Sequence, residues 1–111
     1  MHQFIDGAQR AGRSGDTHDV IDPSNGQVID TVDLASVDDC DAAVAAAKRA
    51  FPEWAGATPA ERSGALAAAA RVLEGMAEEL ASTESRQAGK PIRLAREFDV
   101  PGTIDNTAFF G

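Results

Sequence analysis

Every strand-like stretch of this sequence lies in its first 35 residues, and everything later is patterned as helix. The stretch IDPSNGQVIDTV, residues 21–32, places two β-rich runs around a Pro-Ser-Asn-Gly turn and so predicts a hairpin. A two-stranded hairpin is only marginally stable in water, and no later strand is available to widen it. The order of elements therefore predicts an α+β chain, with β-hairpins over residues 1–35 and three to four helices over residues 36–111.

The first helix is predicted to begin at Ser36, because an N-cap serine is followed three positions later by Asp39. Apolar residues then recur at steps of three and four, which is typical of one buried face. The residues of this predicted stripe are Val37, Cys40, Val44, Ala47 and Phe51. Pro52 is expected to end the helix.

The second helix has the clearest start signal of the chain, TPAE at residues 58–61. Thr58 serves as N-cap, Pro59 occupies the first helical position, and Glu61 completes a capping box. One long helix is predicted from here to a Gly89 C-cap, and a close approach of another helix could explain the glycine at position 75. Its expected apolar face consists of Leu66, Ala69, Ala70, Leu73, Met76, Ala77 and Leu80.

The C-terminal part predicts a short helical piece over residues 92–98 and a break at Pro101. Asp99 would then cap the last helix, and Lys90, directly after the cap of the long helix, would complement that helix's dipole. Asp99 has a second interpretation. Beside Phe98 it could present a carboxylate and an aromatic face to a cationic ligand, although spacing alone favours the cap.

Charge and cysteine content restrict the partners. The chain has 18 acidic against 10 basic residues and a net charge of −8, which argues against nucleic acid and anionic lipid as partners. One cysteine cannot form an internal disulfide, which fits a reducing compartment. With neither a signal-like N-terminus nor a long apolar run, we expect a soluble, cytoplasmic protein.

The direct search for chemistry is mostly negative. The sequence has no G-x-G-x-x-G turn and no phosphate-binding P-loop. His2 and His18 have no neighbouring ligand residues and are expected at the surface. Cys40 lies on the predicted stripe with no histidine in helical reach, so we expect a buried, inert thiol. Glu78 and Glu79 point about 100° apart on a helix and are expected to be solvated.

An ordered set of motifs nonetheless resembles one family. FIDG, DPSNGQVI, AAVAAAKRAFPEW, TPAERSGAL, LASTESRQAGKP and FFG follow one another as in the N-terminal part of the aldehyde dehydrogenase superfamily. The segment REFDVPGTIDNTAFFG is similar to the branch that oxidises aminoaldehydes such as 4-aminobutanal, including enzymes like betaine-aldehyde dehydrogenase. The resemblance covers essentially the whole chain.

The resemblance implies an incomplete N-terminal part, residues 1–111, of a Rossmann-like cofactor-binding domain at its outer side. Family members are several times longer, and their catalytic cysteine, glutamate base, oxyanion-hole asparagine and cofactor-binding turn come later. No catalytic or cofactor-binding residue therefore maps here, and the chain alone is expected to be inactive. The implied parent is a homodimer or homotetramer that oxidises an aldehyde with NAD or NADP through a cysteine thiohemiacetal. The alternative is a stand-alone acidic helical binding module without activity.

The resemblance also implies substrate-binding residues. Phe98, Asp99 and Gly102 match positions that line the mouth of the family's substrate tunnel. In aminoaldehyde members an acid matching Asp99 faces the cationic end of the substrate, and some relatives carry a second acid where this chain has Gly102. One carboxylate has lone pairs for both a helix cap and an ammonium group, so Asp99 could do both.

A monovalent cation site is the second implied feature. Some family members bind K⁺ or Na⁺ through backbone carbonyls that match Val20 and Ile21, together with an aspartate before the GKP turn. That aspartate position is Gln87 here. A neutral amide oxygen can still coordinate a cation, but without the charge we expect a lower affinity.

Overall fold

The computed structural model describes residues 2–111, which divide into two compact units. Unit 1 comprises residues 2–21 and Gly26–Gly56, and unit 2 comprises Asp22–Asn25 and Ala57–Gly111. The paired strands and the first helix belong to unit 1, whereas the remaining helices belong to unit 2. The predicted order, hairpins followed by helices, is confirmed.

Two antiparallel strand pairs open unit 1. Strand β1 (Gln3–Ile5) pairs with β2 (Ala8–Arg10), and the backbone turns between them where Asp6 and Gly7 adopt positive φ. Strand β3 (Thr17–Ile21) pairs with β4 (Val28–Asp33), and the register shifts between the last two residues of β3. The hairpin expected around residues 21–32 is therefore present.

Helix α1 (Val37–Gly56) runs past the proline that was expected to end it. The prediction of a stop at Pro52 is wrong. Proline fixes φ near the helical value, and inside a helix it costs both the hydrogen bond that its missing N–H would have donated and the contact of its ring with the preceding turn. Pro52 and Lys48, four residues earlier, are both exposed, so water can bond to the carbonyl that loses its donor.

The predicted buried stripe of α1 is wrong as well. Val37, Val44 and Phe51 are 77%, 67% and 66% exposed, and Cys40 is also exposed rather than a buried thiol. The less exposed side of the helix consists of alanines, namely Ala42, Ala43 and Ala46. Small side chains allow the helix to lie close to β1, with which it is in contact. The face of α1 that lies near β1 is therefore the less exposed one, although the larger apolar side chains are on the other face.

A buried carboxylate orients the start of α1. Asp39 is 5% exposed and accepts hydrogen bonds from the backbone N–H and hydroxyl of Ser36, each at 2.9 Å. It also accepts from Arg13, through the backbone N–H at 2.9 Å and through Nε at 2.5 Å. These donors hold the pKa of Asp39 well below its ordinary value of 3.8, because they stabilise the charged form. The predicted cap is thus confirmed, and it also ties a loop to the helix.

Unit 2 begins with helix α2 (Pro59–Gly75), whose predicted capping box is confirmed. Thr58 Oγ1 accepts the Glu61 N–H at 3.3 Å, and Glu61 Oε2 accepts the Thr58 N–H at 2.7 Å. The predicted single helix is interrupted at Met76, after which α3 (Ala77–Ala88) continues. A Cβ placed on Gly75 would meet nothing within 4 Å, so the expected close approach at this glycine is wrong.

The C-terminal residues form one continuous helical segment. It consists of α4 (Ile92–Leu94), a π-helical turn (Ala95–Asp99) and α5 (Val100–Phe109), with the Val100 N–H bonded to the Ala95 carbonyl. The predicted break and the predicted Asp99 cap are therefore wrong, because Asp99 is helical and makes no side-chain cap bond. The wider π turn accommodates Pro101, whose ring would clash with the preceding turn of a regular α-helix.

The core of unit 2 is built from small residues. Ala81 and Ala95 are completely buried, Val100 is 7% exposed, and partly buried apolar residues pack around them. These surrounding residues are Ala77, Leu80, Ile92 and Ile104. The predicted apolar face of α2 and α3 is largely confirmed, with Ala69 and Met76 the exposed exceptions. This packing holds α3 against the π turn and so positions the residues of the candidate site.

Candidate functional site

The candidate site starts where α3 ends. Gly89 adopts a left-handed conformation with φ 67°, and the Ser85 hydroxyl donates to the Lys90 carbonyl at 2.7 Å. A Cβ on Gly89 would lie 3.1 Å from the Pro23 side chain, so the turn of residues 22–25 packs against this cap. The left-handed cap reverses the chain and brings Lys90 back beside the last turns of α3.

Lys90 connects α3 to the π turn through its ammonium group. Its Nζ donates to Asp99 Oδ2 at 2.6 Å and lies 3.8 Å from Glu84 Oε1. The hydrogen bond to Asp99 raises the pKa of Lys90 above its ordinary value, because the carboxylate stabilises the charged amine. We call Glu84, Lys90 and Asp99 the Lys90 cluster.

A cavity of about 330 Å³ opens beside the Lys90 cluster. Its apolar walls come from α2, α3 and α5, and its polar end is formed by the cluster and one hydroxyl. The apolar lining residues are Leu73, Leu80, Val100 and Ile104, and the hydroxyl belongs to Thr103. A volume of this size lies at the lower end of the range for small-molecule pockets.

The charges at the polar end suit a ligand with a charged tip. Two carboxylates and one ammonium give the Lys90 cluster a formal charge of −1. The side chains of Lys90 and Asp99 are 34% and 40% exposed, so both remain partly accessible. The apolar walls can hold a short methylene chain while the polar end contacts its charged terminus.

Only one of the three predicted substrate-binding residues lines this cavity. Asp99 does, whereas Phe98 and Gly102 are not among its lining residues. Phe98 is 62% exposed, and a Cβ on Gly102 would meet nothing within 4 Å. Positions 98 and 102 lie one helical turn apart on an open face beside Asp99. Their role at a tunnel mouth stays a prediction.

The three residues of the predicted cation site belong to different units. Val20 and Ile21 end β3 in unit 1, where the register shift falls, and Gln87 lies in the last turn of α3 in unit 2. Within residues 2–111, no three His, Cys, Asp or Glu side chains come together so that they could hold a metal ion. The K⁺ or Na⁺ site has no support from the structure and stays a prediction.

The sequence interpretation missed the role of Lys90 and Glu84. It assigned Lys90 to the helix dipole and Glu84, with Glu78 and Glu79, to a solvated helix face. One signal was available: a glycine in the left-handed conformation reverses the chain, so the residue after Gly89 must return toward the last turns of α3. The pairing with Asp99 could not be read from spacing, because it depends on the π turn.

The structure contains no membrane-spanning candidate in the part of the chain that it describes. None of these helices combines the length and apolar character needed to traverse a bilayer. His2 and His18 are both exposed, as expected.

Comparison with known proteins decides the family. The sequence model of the aldehyde dehydrogenase family matches residues 10–111. The chain belongs to the aldehyde dehydrogenase family. It is 44% identical to the 2-aminomuconic semialdehyde dehydrogenase of Homo sapiens over 92 residues, which are 83% of this chain and 19% of that protein.

Solved aldehyde dehydrogenases have the same fold as this chain. The crystal structure of PnpE in complex with nicotinamide adenine dinucleotide superposes with a TM-score of 0.91 at 42% identity, covering 96% of this chain and 22% of that one. The gamma-glutamyl-gamma-aminobutyraldehyde dehydrogenase of Burkholderia cenocepacia J2315 gives a TM-score of 0.90 at 39% identity, with the same coverage. The chain thus spans about a fifth of the length of the relatives that it matches.

Proposed function

We propose that the chain is part of an NAD(P)-dependent aldehyde dehydrogenase that oxidises an ω-aminoaldehyde, such as 4-aminobutanal, to the corresponding acid. Family membership supports the reaction class. The substrate class is supported by one observation, the cavity whose apolar walls end at the negatively charged Lys90 cluster. An aldehyde with a terminal ammonium group and a short methylene chain complements both parts.

Two similar proteins are named for nitrogen-containing aldehydes. One is a 2-aminomuconic semialdehyde dehydrogenase and the other a gamma-glutamyl-gamma-aminobutyraldehyde dehydrogenase. Both names describe aldehydes derived from amino compounds, which supports a nitrogen-containing substrate here as well.

The chemical step is assigned to residues other than these 111. In the family a cysteine thiolate attacks the aldehyde, a hydride is transferred to NAD(P), and water releases the acid. Cys40 does not match the catalytic cysteine. The sequence also carries no glycine-rich turn between a strand and a helix, so the residues of this chain do not fit the cofactor by themselves. No step of the oxidation is therefore assigned to them.

Within this proposal Asp99 contacts the amino end of the substrate. Its Oδ2 accepts from Lys90, and within residues 2–111 its Oδ1 has no hydrogen-bond partner. A carboxylate oxygen with free lone pairs can accept from a substrate ammonium. Phe98 and Gly102 would line the approach on the neighbouring face.

The remaining predictions complete the proposed enzyme. Residues 1–111 would be the outer part of a Rossmann-like cofactor-binding domain. The complete protein would be a cytoplasmic homodimer or homotetramer, with a weak site for K⁺ or Na⁺ at Val20, Ile21 and Gln87.

The test uses the enzyme expressed from its complete reading frame. Pentanal is the matched neutral substrate, since a methyl group replaces the ammonium group of 4-aminobutanal. In Asp99→Asn we expect KM for 4-aminobutanal to rise roughly tenfold, because a charge contact is lost, while KM for pentanal changes less than about twofold. Steady-state measurements of kcat and KM for both substrates check this.

Asp105→Asn is the control variant, because Asp105 lies on the same helix but does not line the cavity. It removes the same charge and should leave both substrates unchanged. Equal effects of Asp99→Asn on the two aldehydes would exclude the proposed contact. If the complete protein oxidised no aldehyde at all, the alternative of a binding module without activity would be favoured.

A further inference from the structure

We infer that Lys90 and Asp99 together recognise a zwitterionic end, an ammonium and a carboxylate on the same substrate carbon. This inference rests on the proposed function and narrows its substrate class. The aldehyde would carry an α-amino acid group at its far end instead of an amine alone. Lys90 is then a specificity-determining residue.

The geometry of the pair carries the inference. Lys90 Nζ and Asp99 Oδ2 lie 2.6 Å apart at one end of the cavity, so a positive and a negative group are presented side by side. The ammonium and the carboxylate of an α-amino acid are held side by side in the same way. A ligand in the opposite orientation would place its carboxylate on Lys90 and its ammonium on Asp99, forming two charge-assisted contacts.

A purely cationic tip fits this pair less well. Lys90 is the one cationic side chain among the cavity's lining residues, and its ammonium already bonds to one oxygen of Asp99, which leaves only the other oxygen for a substrate amine. Such an amine must displace Lys90 or bind next to a like charge, which weakens its binding. A ligand carboxylate beside the amine relieves this repulsion.

The other ion pairs of this segment do not have this arrangement. Arg93 pairs with Glu97 at 3.2 Å along the helix surface, and Arg96 pairs with Glu78. Neither pair contributes to the lining of the cavity at the Lys90 cluster. Arg96 therefore provides a matched control, a cation of the same helical segment with its own carboxylate partner.

The experiment measures binding rather than turnover. Norleucine and n-pentylammonium differ only in the carboxylate on the carbon that bears nitrogen, so they isolate the contribution of Lys90. Their dissociation constants are measured by calorimetry or by NMR titration on the complete protein. We expect the wild type to bind norleucine more tightly than pentylammonium.

Replacing Lys90 by a neutral residue should change the binding affinities for the two probes in opposite directions. Lys90→Met should weaken norleucine binding roughly tenfold and tighten pentylammonium binding roughly fivefold, because the cluster changes from a net charge of −1 to −2. Lys90→Arg, which keeps the charge, should stay within about twofold for both probes. Arg96→Met should change neither, and Lys90→Gln replaces the methionine variant if that one does not fold.

The outcomes separate this inference from the proposed function. The zwitterion site is excluded if Lys90→Met changes the affinities for both probes in the same direction or changes neither. It is also excluded if the wild type does not bind norleucine. Each of these results would exclude the site even in an active aldehyde dehydrogenase. If the complete protein oxidises no aldehyde but the probes still respond in opposite directions, the proposed reaction fails and the binding site stands.

Discussion

The same three-and-four spacing of apolar residues leads to an exposed face in unit 1 and to a buried face in unit 2. In unit 1 the stripe with three-and-four spacing, which includes Val37, Val44 and Phe51, lies on an exposed face of α1. In unit 2 the same spacing along α2 and α3 includes the buried Ala70, and its Ala77 and Leu80 pack against the buried core. Periodicity thus identifies which residues share a face, but the face becomes core only where another element packs against it.

The units also differ in what holds them together. In unit 1 a buried carboxylate, Asp39, gathers donors from Ser36 and Arg13, and alanines face β1. In unit 2 small residues from α3, the π turn and α5 pack directly on one another, and charged groups remain at the margin. We therefore expect unit 1 to lose most stability when the hydrogen bonds accepted by Asp39 are removed, and unit 2 to lose most stability when its packing is disturbed.

The largest expected effect comes from replacing an alanine by aspartate at a buried position of unit 2, compared with the same replacement on the exposed face of α1. Ala81→Asp places an unpaired charge in a completely buried position and should lower the free energy of unfolding by roughly 3 kcal/mol or more. Ala47→Asp, on the exposed α1 stripe, should cost less than about 1 kcal/mol. Urea unfolding followed by circular dichroism compares the two. Similar losses would show that the α1 stripe is buried and would remove the contrast between the units.

An intermediate effect is expected when the hydrogen bonds accepted by Asp39 in unit 1 are weakened. Asp39→Asn removes the charge that Ser36 and Arg13 stabilise, and it should lower the melting temperature at pH 7 by about 4–8 °C. Asp38→Asn, in the same helical turn, is the control, and it should change the melting temperature far less.

The pH dependence of stability gives a second measure of the hydrogen bonds accepted by Asp39. Because the folded pKa of Asp39 lies below its ordinary value of 3.8, the folded state binds fewer protons than the unfolded state as the pH falls. The contribution is complete above about pH 5 and is lost as the pH falls through the folded pKa. Melting curves from about pH 7 to about pH 2 should therefore converge for wild type and Asp39→Asn. A constant gap between them would contradict this assignment.

The smallest effects distinguish two glycines within unit 2. Gly89→Ala should destabilise the chain by roughly 1–2 kcal/mol, since φ is positive and the new Cβ would lie 3.1 Å from Pro23. Gly75→Ala should stabilise it by roughly 0.5–1 kcal/mol, because the site is open and alanine is the better helix former. Thermal melts of the two variants check the signs. Destabilisation by Gly75→Ala would indicate a close contact that the structure does not contain.

Local signals in the sequence predicted two of the helix starts and one helix end. Thr58 with Glu61 forms the expected capping box, Ser36 with Asp39 the expected start, and Gly89 the expected left-handed cap. These are interactions between residues at most three positions apart or single backbone conformations, so neighbouring residues suffice to specify them. The prolines were misread, because Pro52 and Pro101 are accommodated by an exposed helix face and by a π turn.

The candidate site was only partly predictable. The family resemblance drew attention to Asp99, but the assignment of its carboxylate to a helix cap was wrong, because it pairs with Lys90 instead. That contact joins residues on two sides of a reversed chain, and its geometry depends on the π turn.

The sequence by itself determined the order of strands and helices, the caps at Ser36, Thr58 and Gly89, and the family of this chain. These properties depend on neighbouring residues or on ordered motifs. Tertiary structure alone decided which apolar face is buried, where the long helix is interrupted and which groups surround the cavity. The physical reason is that burial and ion pairing depend on residues far apart in sequence, whose positions are set only when the helices pack.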